Sequence, residues 1–259
     1  LLNYPYPYIW GLALFTISIY YFLKFKLKET NFKNSFLTIL FISLSAYFTP
    51  NFAFFYLYYI FEFFKKFKNS NNFIFLVLFS ISISIPALLF LFWKDFYILK
   101  AGDGLTLSSF DKFNIFNKFV IIITVIYLFF LPFLNPGKLI EKFSNISINK
   151  NSLILFLFFV INIYFFNFKG DIGGGGIFYQ ISNLIFKNNY FLFVIFFLSL
   201  LTFYTYKLIN KNNLFIFFIL ILYNSQYTIY YKYFDPLILL IILFFLKLDN
   251  LNKLNLNKL

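Results

Sequence analysis

The chain has 259 residues, 61% of them hydrophobic and only 12% charged, with a net charge of +13 and a mean hydropathy of +0.80. A soluble domain averages about 45–50% apolar and about 25% charged residues, so this balance is that of an integral membrane protein. All 22 basic residues are lysine, and histidine, cysteine, arginine and methionine are absent. That excludes thiol catalysis, Cys/His zinc sites, the usual haem and iron–sulfur ligation, imidazole acid–base chemistry and bidentate arginine clamps. Catalysis would rest on Asp, Glu, Lys, Tyr or amides, with a divalent metal ion on carboxylates as the one cofactor left open. Nucleic acid is rejected as a partner, because the lysines lie between apolar runs rather than on a solvated face.

The chain opens on "LLNYPYPYIWG", with no initiator methionine, basic n-region or signal-type cleavage site, and reads as an internal or C-terminal piece of a longer protein. Apolar runs then follow at roughly 8–23, 35–49, 51–64, 73–93, 115–134, 152–168, 190–206, 213–231 and 236–248. A membrane span takes about 20 residues. The expected fold is therefore all-α: a polytopic transmembrane bundle over 1–248 with about 8–9 membrane segments, followed by a polar cytoplasmic tail over 249–259.

The second and third runs meet at "AYFTPNFAFF", where Pro50 and Asn51 fit a tight turn, the tip of a re-entrant hairpin or a kink in one long helix. Lysine placement selects against the kink. If both ends of 35–64 return to one side, Lys24, Lys26, Lys28 and Lys33 join Lys65, Lys66 and Lys68 there. Alternation then adds Lys138, Lys142, Lys150, Lys207, Lys211, Lys247, Lys253 and Lys258, so fifteen of the 22 lysines share a face. The positive-inside rule makes that face cytoplasmic. Within the third run, Glu62 stands three and four residues before Lys65 and Lys66, the spacing of a helix-end ion pair.

The opposite face collects the more polar connections, at about 94–114, 169–189 and 224–235. In the first, "WKDFYILKAGDGLTLSSFDKFN", Asp103 and Asp111 are either turn and cap residues or an acid–base pair. The second, "KGDIGGGGIFYQISN", has a glycine run beside Asp171 but neither a following Lys-Ser/Thr nor a preceding strand, which rules out a nucleotide cradle. After the glycines, Ile177, Phe178, Ile181, Leu184 and Ile185 fall on one helical face and Gln180, Asn183 and Lys187 on the other, the pattern of a short interfacial helix. The third, "YNSQYTIYYKYFDPL", sets Tyr227, Tyr230, Tyr231 and Tyr233 beside Lys232 and Asp235. It fits an aromatic belt at the headgroups or a groove in which tyrosines stack on a sugar or prenyl group.

The segments "NYPYPYIWGLALFTISIYYF", "AYFTPNFAFFYLY", "GGGIFYQISNLIF" and "QYTIYYKYFDPLILLI" give the chain a general pattern, over most of its length, that resembles the C-terminal portion of a GT-C type multi-pass membrane glycosyltransferase. The resemblance implies sugar transfer from a polyprenyl-phosphate donor on the extracytoplasmic face, in the inner membrane of a bacterial cell envelope. On that reading the outer loops form the donor and acceptor cavity, and their residues Asp103, Asp111, Asp171, Gln180, Tyr227, Tyr231, Lys232 and Asp235 are the substrate-binding candidates. In that family the catalytic acid follows the first transmembrane helix, and nothing here corresponds to it, so the catalytic residue is expected upstream of Leu1. The other reading is a multi-pass transporter or lipid-linked-oligosaccharide flippase.

Overall fold

Residues 6–27, 31–67, 71–93, 114–134, 136–144, 149–169, 174–223 and 237–246 are described by a computed structural model. Among them there are helices and no β-strand, so the fold is all-α. The chain divides into two units, Leu1–Asp111 and Lys112–Leu259.

In the first unit, α1 (Tyr6–Leu27), α2 (Phe32–Phe48), α3 (Phe55–Phe67) and α4 (Asn71–Trp93) follow one another. Asn31 starts α2 by accepting a hydrogen bond on its side chain from the Lys33 amide at 3.1 Å. Thr49, the residue before Pro50, is extended at φ −141°, as the proline ring requires, and this ends α2. Pro50–Phe54 forms a 3-10 turn and α3 then runs back alongside α1. Along α1, Phe15 packs on Phe52 and Phe55 with ring centroids 4.9 and 4.7 Å apart, Phe22 on Tyr59 at 4.8 Å and Phe25 on Phe63 at 4.8 Å. This order makes α1 and α3 parallel. Helix α2 is antiparallel to both, with Tyr21 stacked on Phe41 and the Ser45 hydroxyl donating to the Gly11 carbonyl at 2.6 Å. A Cβ on Gly11 would lie 2.8 Å from Thr49 Oγ1, which is why a glycine stands where α1 meets the turn.

The Pro50 break is thus a hairpin, not a kink, and it brings the two lysine-rich ends together. Glu62 pairs with Lys65 at 2.8 Å, as its spacing suggests, and with Lys26 of α1 at 3.6 Å. Lys66 instead donates to the Phe25 carbonyl at 3.3 Å and lies over the Phe25 ring.

The second unit contains α5 (Ile115–Phe130), α6 (Pro136–Ser144), α7 (Lys150–Tyr164), α8 (Gly176–Phe186), α9 (Tyr190–Thr205), α10 (Lys211–Tyr223) and α11 (Leu237–Phe244). Helix α5 is its core: Val120, Ile121, Ile122, Ile123, Val125, Ile126 and Phe130 are all buried. Ring contacts give the directions of its neighbours. Phe116 meets Phe165 and Phe119 meets Phe158, so α7 is antiparallel to α5. Phe119 also meets Phe196, and Phe130 meets Phe203, so α9 is parallel to it. Phe203, near the end of α9, stacks on Phe217 in the middle of α10, which returns. As a result Lys150, Lys207 and Lys211 mark one end of the unit, while Asn114, Asn167 and the start of α8 mark the other.

Among the described residues, two stretches are long and apolar enough to cross a membrane by length and composition: Tyr8–Leu27 in α1, and Ile115–Phe133, which runs from α5 into a 3-10 turn at Leu131–Phe133. Helices α2, α7, α9 and α10 are apolar but shorter. The connection before α7, which lies between the apolar runs 115–134 and 152–168, holds the additional helix α6.

Candidate functional site

The end of the second unit opposite Lys150, Lys207 and Lys211 is built on asparagine. The Asn114 side chain caps α5 by accepting from the Phe116 and Asn117 amides at 2.9 and 3.3 Å. Its Nδ2 donates to the Phe165 carbonyl at 3.0 Å and to Asn167 Oδ1 at 2.9 Å. Asn117 grips Asn167 twice: Nδ2 donates to Asn167 Oδ1 at 2.8 Å, and Oδ1 accepts from the Asn167 amide at 2.9 Å. Three carboxamides thereby tie the segment leaving α7 to the start of α5.

The glycine turn sits just beyond. Phe168 is buried, its ring is 4.9 Å edge-on from Tyr179, and its carbonyl accepts the Tyr179 hydroxyl at 3.3 Å. Gly175 and Gly176 have φ of +88° and +79°, values that L side chains rarely adopt. Space is closed to them as well: a Cβ on Gly175 would strike Tyr179 and Phe168, and one on Gly176 would lie 2.8 Å from Val125 Cγ2. The Gln180 side chain reaches back to donate to the Gly174 carbonyl. Both flanks of 170–173 are therefore anchored, through Phe168 before it and Gly174 after it.

Helix α8 is held to α9 by Ser182, which donates to the Asn188 carbonyl at 2.6 Å and accepts from the Leu192 amide at 3.2 Å. The helix turns Tyr179 and Ser182 inward and leaves Ile177, Leu184, Ile185 and Phe186 exposed. Its apolar stripe thus faces away from the unit, as a helix lying on lipid would place it.

Lys118 is not among the fifteen lysines that share a face, which by alternation sets it with the polar loops. The structure instead buries it in α5, at 2% exposure. It lies three and seven residues before Ile121 and Val125, on the helix face that meets Gly176. Its signal in the sequence is a lysine just inside an apolar run, "NKFVIII".

Of the substrate-binding candidates, Gln180 is at this corner and bonded to it. Asp103, Asp111, Asp171, Tyr227, Tyr231, Lys232 and Asp235 lie outside the described residues, as does the tail 249–259. Asn114, Asn117 and Asn167 were not singled out by sequence, because asparagine at an apolar boundary is also the commonest linker residue of this chain. Among the described residues no group of three Asp, Glu, His or Cys side chains gathers to hold a metal ion. No protein-family model, curated protein or solved structure matches the chain.

Proposed function

We propose that the chain is the multi-pass membrane part of a glycosyltransferase of a bacterial inner membrane, taking sugar from a polyprenyl phosphate on the extracytoplasmic face. Helices α1–α5, α7 and α9–α11 supply the eight to nine membrane segments, with α2 and α3 joined as a hairpin, and α8 lies in the interface. The lysine-rich ends face the cytoplasm. The observation that supports this reading best is the asparagine–glycine corner at the end opposite Lys150, Lys207 and Lys211. Its two anchored flanks carry between them the four residues that include Asp171, and Gln180 stands alongside with an amide suited to sugar hydroxyls.

The experiment is sugar transfer from a radiolabelled polyprenyl-phosphate sugar in membranes bearing the full-length protein. Asp171→Ala and Gln180→Ala are each expected to lower transfer at least tenfold, about 1.4 kcal/mol of transition-state stabilisation. Full activity in Asp103→Ala, Asp171→Ala, Lys232→Ala and Asp235→Ala alike would sink the site assignment.

A transporter needs polar groups converging near the middle of the helices. Here Thr124, Ser199 and Thr202 each donate to a carbonyl of their own helix, at 2.8, 2.6 and 2.8 Å, so the transferase reading is preferred.

A further inference from the structure

The second unit carries an apolar groove that the transfer reading does not use. One cavity of about 520 Å³ lies between α5, α7, α9 and α10, and Asn151 and Tyr204 are the polar residues in its lining. A second, of about 240 Å³, adjoins it and shares Phe119, Phe158 and Leu214 with the first. Together they run along α7 from Asn151 to Asn162, eleven residues or about 16 Å of helix. That length is close to half of the roughly 30 Å bilayer core, the depth of one leaflet.

The two ends of the groove differ. At the Asn162 end the amide is spent on the Phe158 carbonyl at 2.7 Å, and the lining is Ile115, Phe116, Phe218 and Ile221, of which Ile115 and Phe218 are exposed. The other end opens among cations. Lys150 directly precedes Asn151, and Lys207 and Lys211 flank Ile209 of the lining; all three are exposed. Glu141 is the one acidic side chain among the described residues of this unit. The mouth is also rigid. Asn149 caps α7 with Ser152, the Tyr204 hydroxyl donates to Asn149 Oδ1 at 3.3 Å, and buried Asn213 donates to the Leu208 carbonyl at 3.0 Å.

We infer that this groove binds one anionic phospholipid, its acyl chain along Phe119, Phe158 and Leu214 and its phosphate among Lys150, Lys207 and Lys211. Apolar length and charge together select the occupant. A neutral lipid would leave the three cations unmatched, and the length of the groove is about that of one acyl chain. The lysine mouth is at the opposite end of the unit from the asparagine–glycine corner, and lipid binding there goes beyond the sugar-transfer reading.

The test uses the full-length protein with Trp10→Phe and Trp93→Phe, which remove both native tryptophans, and Phe158→Trp, which sets a fluorophore in the groove. The protein is reconstituted in phosphatidylcholine vesicles with a minor fraction of phosphatidylglycerol, and the bromine quencher is placed on the chains of one lipid or the other. Brominated phosphatidylglycerol is expected to quench out of proportion to its share. The preference should fall by about fivefold in affinity for each of Lys150→Gln, Lys207→Gln and Lys211→Gln, and should weaken as salt is raised with no change of sequence. Quenching in proportion to abundance would mean ordinary boundary lipid and overturn the proposal. Absence of quenching by either lipid would mean that protein covers the groove, and would overturn it too. Displacement of brominated phosphatidylglycerol by a small amount of undecaprenyl phosphate would reassign the groove to a polyprenyl lipid. Selective quenching by phosphatidylglycerol in a protein that transfers no sugar would uphold this site and remove only the transferase reading.

Discussion

Two positions with positive φ outside the glycine run show what single residues contribute here. Lys187 and Lys207 have φ of +52° and +56°, each just past the end of a helix. At Lys207 the hydrogen bonds are those of a Schellman end, with the Leu208 amide on the Phe203 carbonyl at 2.8 Å and the Lys207 amide on the Tyr204 carbonyl at 3.0 Å. Glycine normally fills that place, because a side chain there costs roughly 1–2 kcal/mol. Lys207→Gly is therefore expected to raise the thermal midpoint in detergent, by at most about 1 kcal/mol once the looser unfolded chain is counted. Gly176→Ala should move it the other way. The new methyl meets both an unfavourable φ and Val125 on a packed helix, for a loss of about 2–4 kcal/mol in the same melting experiment. A Gly176→Ala protein as stable as its parent would show that α8 does not start against α5 as described.

At the scale of elements, the hairpin at Pro50 and helix α8 share a logic: both redirect the chain where an apolar run is too short to continue. The hairpin brings Lys33 and Lys65 to the same end of the first unit, and alternation through the proposed spans carries Lys187 to the other side of the bilayer. The chain has no cysteine, so each introduced thiol is unique. In inside-out vesicles, Lys33→Cys and Lys65→Cys should both react with an impermeant maleimide while Lys187→Cys stays protected. Protection of either of the first two alone would mean that the hairpin does not return.

Across the whole molecule, most helices were legible because their edges are chemically abrupt. Lysine or asparagine bounds nearly every apolar run, and α4, α5, α7 and α9 begin within two residues of the positions read from the sequence. The break at Pro50 was legible only with the lysines on either side of it, since a proline alone is equally compatible with a kink. Helix α6 was missed because its nine residues, "PGKLIEKFS", are as polar as a loop, and its amphipathic spacing is too short to stand out from one. The asparagine corner was missed for a different reason. Asn114, Asn117 and Asn167 are some fifty residues apart in sequence and meet only because α7 is antiparallel to α5. The short helix after the glycines was anticipated, because one helix keeps its own periodicity whatever surrounds it; of its expected apolar stripe Ile177, Leu184 and Ile185 are exposed, while Phe178 and Ile181 are half-buried.

The aromatic seam between α1 and α3 also has an optical consequence. Tyr59 is fully buried, its hydroxyl lies 3.0 Å from that of Ser18, and its ring lies between Phe22 and Phe63. A tyrosine locked among other rings experiences a fixed asymmetric field and should give the first unit a strong near-ultraviolet dichroism band. Helical absorption in the far ultraviolet, by contrast, depends only on local backbone geometry. If the seam loosens before the helices melt, the near-ultraviolet band will fade at a lower temperature than the far-ultraviolet one, and the chain's own phenol will report the order in which its packing and its helices are lost.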